Sequence, residues 1–257
     1  MSSRLPARAI KPKPVAAVDR ALSILDAFRL GDQPLSLAEV ARRTKLSKAT
    51  ILRLAGTLEQ RQFLSRTSDG HFVLGAKPLQ LGGIFQSMIQ PIDVIPPLLR
   101  ALSVKTGESA SFMIRQGDLR VCLYRIDSPQ TVRDHLKPGS ILPMNKGAAG
   151  RVIMAFSPPY PKPYRAIRES IVDMSISEIT PDVASICAPI FDGQGIAGAI
   201  ALSGPKTRFT PTALRAMKKE ILVTAQAMSS ALSGDAKRFD QEIKTARATD
   251  IMSSKIK

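Results

Sequence analysis

Residues 36–74 read SLAEVARRTKLSKATILRLAGTLEQRQFLSRTSDGHFVL, and the order of signals in them decides the fold of the N-terminal part of the chain. Ser36 and Glu39 have the spacing of a capping box, in which each side chain satisfies an orphan amide of the other. Leu37, Val40 and Ala41 give that first helix its buried side. Ser47 is a second N-cap. After it Ile51, Leu54, Ala55 and Leu58 recur at helical steps, which places Ala49, Arg53, Gly56 and Gln60 on the opposite face. The β-prone runs Phe63–Arg66 and His71–Leu74 flank Ser68-Asp69-Gly70, and Asp-Gly supplies the positive φ that a tight hairpin needs. A short helix, a turn, a cation-bearing helix and a hairpin make a winged helix-turn-helix.

Upstream, Val18, Ala21, Leu22, Leu25 and Phe28 predict a further helix with one buried face, ended by Gly31-Asp32-Gln33-Pro34. The winged domain is therefore assigned to residues 15–77. Residues 1–14 form a basic, Pro-bearing arm, expected to be disordered until an anion orders it. The opening segment MSSRLPARAIKPKPVAAV has no long apolar stretch and is not read as a secretory leader. No apolar run reaches the roughly 20 residues that span a bilayer, so no membrane partner is expected and the cytoplasm is the default location.

Net charge is +16, from 37 Lys and Arg against 21 Asp and Glu. Such an excess attracts polyanions, and nucleic acid is the commonest of them. Residues 1–77 hold 14 of the cations and six of the acids, half the excess in under a third of the chain. A major groove about 12 Å wide admits one helix, and the helix after Ser47 carries suitable groups for it. Arg53 reaches a guanine edge, Ser47 and Thr50 offer hydroxyls to phosphates, and Arg42, Arg43, Lys45 and Lys48 crowd the preceding helix and turn. Arg66 and His71 on the wing, and Arg20 on the first helix, complete the expected double-stranded DNA contacts. The competing reading of the same residues is a trihelical module that docks proteins.

Residues 78–92 predict a linker helix interrupted by Gly82-Gly83, and residues 93–234 an α+β domain built on one antiparallel sheet. Strands are expected over 109–115 and 120–127, and again over 183–191 and 195–203 around Asp192-Gly193-Gln194-Gly195. Helices are expected over 95–105, over 147–156, and over 211–233 with Thr210 as cap and Pro211 at the first position. Residues 235–257 read as a flexible tail. Neither Gly193-Gln194-Gly195 nor Gly82-Gly83 has the frame of a nucleotide cradle. Cys122 and Cys187 sit in apolar runs and read as buried packing. His71 and His135 are isolated, so no metal or cofactor is expected. Small residues in Lys146–Arg151 lead into a helix whose exposed amides suit a carboxylate, although tight helix–sheet packing explains them equally. An enzyme of small-acid metabolism with a basic extension is the alternative, but no nucleophile–base pair supports it.

The runs AVDRALSILDAF, LSLAEVARRTKLSKATILRLAGTLEQRQFLSR and HFVLGAKPLQLG, followed by LPMNKGAAGRVIMAF, ISEITPDVASICAPIFD and GAIALSGPKTRFT, resemble the IclR family of bacterial transcription regulators over most of residues 15–232. The resemblance implies a winged DNA-binding domain, a linker helix and a GAF-like effector domain. It implies a homodimer or dimer of dimers on an operator, tuned by a small organic acid and controlling catabolic genes, with RNA polymerase as a further candidate partner. By that likeness Ala148 and Ala149 offer backbone contacts to the acid, Ser175, Ser185, Ala201 and Ser203 border the cavity, and Leu142 and Met144 supply apolar wall. The chain departs from the family pattern in three places. Lys45 and Gln62 stand where glycine is common, and Ile176-Ser177 precede Glu178 without the usual glycine.

Overall fold

A computed structural model describes residues 14–29, 31–88 and 93–246. The basic arm, apart from Pro14, and the end of the linker at 89–92 lie outside the described residues. The chain forms two compact units, Met1–Met88 and Ile89–Lys257.

In the first unit α1 (Ala16–Leu25), α2 (Leu37–Thr44) and α3 (Lys48–Gln60) enclose a core of Ile24, Leu35, Val40, Ile51, Ala55 and Leu58, closed by Leu64 and Phe72 of the wing. The wing is an antiparallel pair, β1 (Leu64–Arg66) and β2 (Phe72–Leu74), with Gly70 at φ 81° in its turn. Leu35 adds a third rung, exchanging both backbone hydrogen bonds with Phe72 at 2.9 and 2.8 Å. The capping box half forms: Ser36 Oγ accepts from the Glu39 amide at 3.1 Å, while the Glu39 carboxylate turns to Arg42 and Arg43 instead.

The expected face of α1 holds for Ala21, Leu25 and Phe28, which pack on the core, and fails for Val18 and Leu22. Ile24 is fully buried and Ala27 nearly so, whereas Val18 and Leu22 are more than half exposed. The helix is apolar on two sides, and periodicity alone chooses the stripe with more members. α4 (Lys77–Met88) passes through Gly82 and Gly83 without a break, and a Cβ on either would meet nothing within 4 Å. Gly82→Ala and Gly83→Ala should each raise stability by about 0.5–1 kcal/mol, by removing backbone freedom from the unfolded chain. Urea unfolding of the single variants checks this; a loss of stability would mean the pair is needed in a non-helical form.

The second unit is an antiparallel six-stranded sheet of order β5-β4-β3-β8-β7-β6. Its strands are β3 (Ser109–Gln116), β4 (Leu119–Ile126), β5 (Ile141–Pro143), β6 (Asp173–Ile176), β7 (Val183–Asp192) and β8 (Gly195–Pro205). The hairpin β7–β8 closes at Asp192↔Gly195, as the Gly-rich turn predicts. Around the sheet lie α5 (Ile95–Thr106), α6 (Ala148–Ala155), α7 (Arg165–Ser170) and α8 (Pro211–Ala231), the last capped by Thr210. Cys122 and Cys187 are both fully buried, and burial pushes each thiol up to about 12.

The expected flexible tail from 235 fails for its first half, residues 235–246. A 3-10 turn at Ala236–Phe239 runs on into helix over residues 240–246, and Phe239 (0% exposed) and Ile243 (6%) enter the core. Phe239 packs 5.9 Å from Phe191, centroid to centroid. Burying two large apolar side chains there offsets the ordering that the mixed-charge composition argues against.

Candidate functional site

The basic face of the first unit rests on α3. Ser47 Oγ accepts from the Thr50 amide at 3.3 Å and lies 2.9 Å from its hydroxyl, so both predicted hydroxyls lock the start of the helix. Beyond that cap Lys48, Ala49, Leu52 and Arg53 are exposed. Arg53 makes no ion pair among the described residues, so its five donors remain available. Lys45 closes α2 in the left-handed conformation, φ 59° and ψ 20°, and Gln62 does the same after α3 at φ 61°. The chain therefore keeps at these two positions the backbone that glycine would adopt more easily. Arg20 is exposed on α1.

Three predicted cations are not free. Arg42 lies against Glu39 at 2.8 and 2.6 Å but stays largely exposed. Arg43 is a clasp rather than a phosphate ligand: it binds Asp32 at 2.5 and 3.0 Å, Glu39 at 2.5 Å and the Ala27 carbonyl at 2.8 Å. It fastens the α1–α2 turn to α2. Arg66 donates to Glu59 at 2.6 Å, and its guanidinium lies 4.4 Å above the Phe72 ring, so it holds the wing to α3 instead of reaching outward. His71 Nδ1 is 2.9 Å from Asp69 Oδ2, without a hydrogen bond of acceptable geometry.

Hydrogen bonds from Arg42 first, and Arg43 second, hold the Glu39 carboxyl down at about 2. Because this folded value lies below the unfolded one, the group's contribution to stability is full above the ordinary carboxylate range and is lost as pH falls towards 2. Protection factors of the α2 amides in the full chain, that is, exchange corrected for its intrinsic pH dependence, should thus fall between about pH 4.5 and 2.5, and less steeply in Glu39→Gln. Equal pH profiles would remove the clasp from the account.

In the second unit, pairing places Ser175 opposite Ser185 and Ser185 opposite Ser203, a row across three strands on one sheet face. Cys187 and Ala201 form the next pair on that face. Ser175 and Ser185 hydroxyls lie 2.9 Å apart, with Cys187 Sγ 4.0 Å from Ser185 Oγ. The Ser203 hydroxyl donates to Asp134 at 3.1 Å, and Asp134 pairs with the buried Arg125 at 2.6 Å. α6 packs on β6, β7 and β8 with Ala148 and Ala149 buried at its first turn. No side chain caps that turn. Met144 is buried just before it, and Leu142 packs partly buried on β5.

The sequence points to Glu178 and to the segment ending in Arg151, but not to their pairing, nor to Asp173 and Arg120 beside them. Arg151 binds Asp173 and Glu178, each at 2.6 Å, and Glu178 accepts from the Gly147 amide at 3.0 Å. Those bonds hold the Glu178 carboxyl below its usual range, Arg151 being the main cause. Arg120, 2% exposed, lies against the same turn. Its only signal in the sequence is a cation where an apolar strand should face inward.

A winged helix-turn-helix with a cationic, unobstructed third helix, followed by a separate α+β unit with a polar row on its sheet, defines a two-domain DNA-binding regulator. The comparisons agree. Residues 17–68 match the IclR helix-turn-helix domain, and residues 87–162 and 161–230 match the C-terminal domain of bacterial IclR transcriptional regulators. The chain belongs to the IclR family. It is 29% identical to the HTH-type transcriptional regulator BhcR of Paracoccus denitrificans over 244 residues, covering 84% of this chain and 86% of that one. It is 25% identical to the DNA-binding transcriptional repressor YiaJ of Escherichia coli over 253 residues, 86% and 91% of the two chains. The IclR structure of Thermotoga maritima shares the fold with a TM-score of 0.70 at 20% identity, covering 85% of this chain and 99% of that one. This family of transcription regulators is not enzymatic, which sets aside the small-acid enzyme.

Proposed function

We propose that this regulator binds its operator as a homodimer and that a small organic acid, held on the Ser175–Ser185–Ser203 face, sets its DNA affinity and so controls a catabolic operon. The observation that carries the DNA half is the free, exposed Arg53 on α3 beside Lys48. In this reading Arg53 reads a base edge, while Lys45, Lys48 and Arg20 meet phosphates. Arg43 and Arg66 serve the fold instead. The exposed apolar sides of α1 (Val15 67%, Val18 56%, Leu22 53%) and of α4 (Leu79 82%) support self-association, since single-copy burial leaves them in water. A two-fold dimer requires half-sites about one helical turn apart, or a multiple of that.

The acid acts only through unequal affinity for two arrangements of the dimer. The test selects bound duplexes from a random pool and measures affinity against salt. A palindromic site whose log affinity falls steeply with log salt supports the reading. Selection that yields no common sequence refutes operator recognition, and affinity unmoved by any acid that binds the second unit refutes the control.

A further inference from the structure

We infer that Arg120 is the cation that receives the negative end of the effector, so that the second unit takes small carboxylates and rejects their neutral amides. The inference rests on the effector reading above and adds to it a residue and a charge requirement.

Arg120 opens the apolar run of β4 and is 2% exposed. Its Nη1 donates to the carbonyls of Pro143 and of Lys146, the latter at 2.7 Å. Its Nε is buried with no partner. No carboxylate forms an ion pair with it among the described residues, because Glu178 is committed to Arg151 and the Gly147 amide. A guanidinium cannot shed its proton under ordinary conditions, so a buried one without an anion is a standing electrostatic deficit. Burial works against its charge here.

The position of this cation is specific. A Cβ on Gly147 would stand 3.1 Å from Nη2, and one on Gly150 2.8 Å from Nη1. Glycine at both positions lets the guanidinium reach the first turn of α6. There, among the described residues, no carbonyl or side chain accepts from the amides of Ala148, Ala149 and Gly150. Unpaired amides at a helix start and an unpaired guanidinium thus meet at one place, and both favour an anion. By strand register Arg120 shares one face of the sheet with Ser203, Ser185 and Ser175, through Arg115 and Ser109 of β3. A carboxylate on Arg120 would therefore lie on the same side of the sheet as this row.

The experiment measures thermal shifts of the full chain with acetate, succinate and benzoate, each against its amide at matched ionic strength, in wild type, Arg120→Gln, Arg120→Lys and Ser185→Ala. At least one acid is expected to raise the wild-type Tm while its amide does not. Its affinity should fall at least 30-fold in Arg120→Gln and at least fivefold in Arg120→Lys, which keeps charge but loses the planar fork. If the glutamine variant does not fold, having lost its hold on the Pro143–Lys146 loop, the lysine variant decides: unchanged affinity overturns the inference. Unchanged affinity in Arg120→Gln beside a loss in Ser185→Ala overturns the role of Arg120 and leaves the site standing. Unchanged affinity in all three variants removes the site itself. No shift with any acid, or equal shifts with acid and amide, overturns the charge requirement.

Discussion

Arg53→Ala is expected to weaken operator binding by about 1–3 kcal/mol, the range for losing a two-pronged contact to a base. That is a factor of roughly 5 to 150 in affinity. The geometry is favourable because α3 presents Arg53 with no ion pair to break first among the described residues. Its neighbours Ala49 and Leu52 are small or apolar, so the helix can approach closely. Discrimination between operator and random duplex should fall with the affinity. Lys48→Ala should behave differently, weakening all sequences alike and flattening the salt slope by about one. Fluorescence anisotropy on a selected operator, at several salt concentrations, separates the two signatures. Wild-type specificity in Arg53→Ala would take that residue out of base reading and return the helix to a docking role.

Arg208→Ala is expected to destabilise the second unit by about 3–5 kcal/mol. Glu108, just before β3, has a side chain only 3% exposed. Arg208 meets both its oxygens, at 2.5 and 2.6 Å. The pair sits over Gly204, where a Cβ would lie 2.1 Å from Glu108 Oε2. Removing the guanidinium leaves a carboxylate enclosed without a counter-charge, which is worse than having neither group. Arg208→Ala combined with Glu108→Gln should therefore recover part of the loss. Chemical denaturation of the two variants measures it. A loss under about 1 kcal/mol would mean that water reaches the carboxylate and that the enclosure is looser than the distances imply.

What was legible in the sequence was whatever repeats locally. Ser36, Ser47 and Thr210 announced three helix starts, and all three accept the expected amide. The hairpins at Gly70 and Gly195 were equally plain, because positive φ has few chemical solutions. The short strands β5 and β6 were not seen, since three or four residues carry no period. On α1 the period picks out Ala21, Leu25 and Phe28, which pack on the core, but also Val18 and Leu22, which stay exposed, because apolar residues occur on two sides of that helix.

Charges were the hardest to read. Arg42 and Arg43 are adjacent and both within reach of Glu39, yet one is exposed and the other binds Asp32 across the turn. Only three-dimensional proximity separates them. Arg66 looked like a wing-tip donor, and its stacking on Phe72 depends on a cross-strand pairing that no spacing rule reveals. In the second unit the serine row was assigned through family likeness. Its alignment follows from strand register, which a single sequence does not display.

The wing is tied down twice, by Arg66 to Glu59 of α3 and by Leu35 to Phe72. The third helix and the hairpin are consequently held together as one block. A regulator built this way has a half-site footprint of invariant length. In the proposed dimer, responsiveness then comes from the spacing and tilt of two such blocks along the duplex, so operators that differ in the gap between half-sites should differ in inducibility even when each half-site is identical.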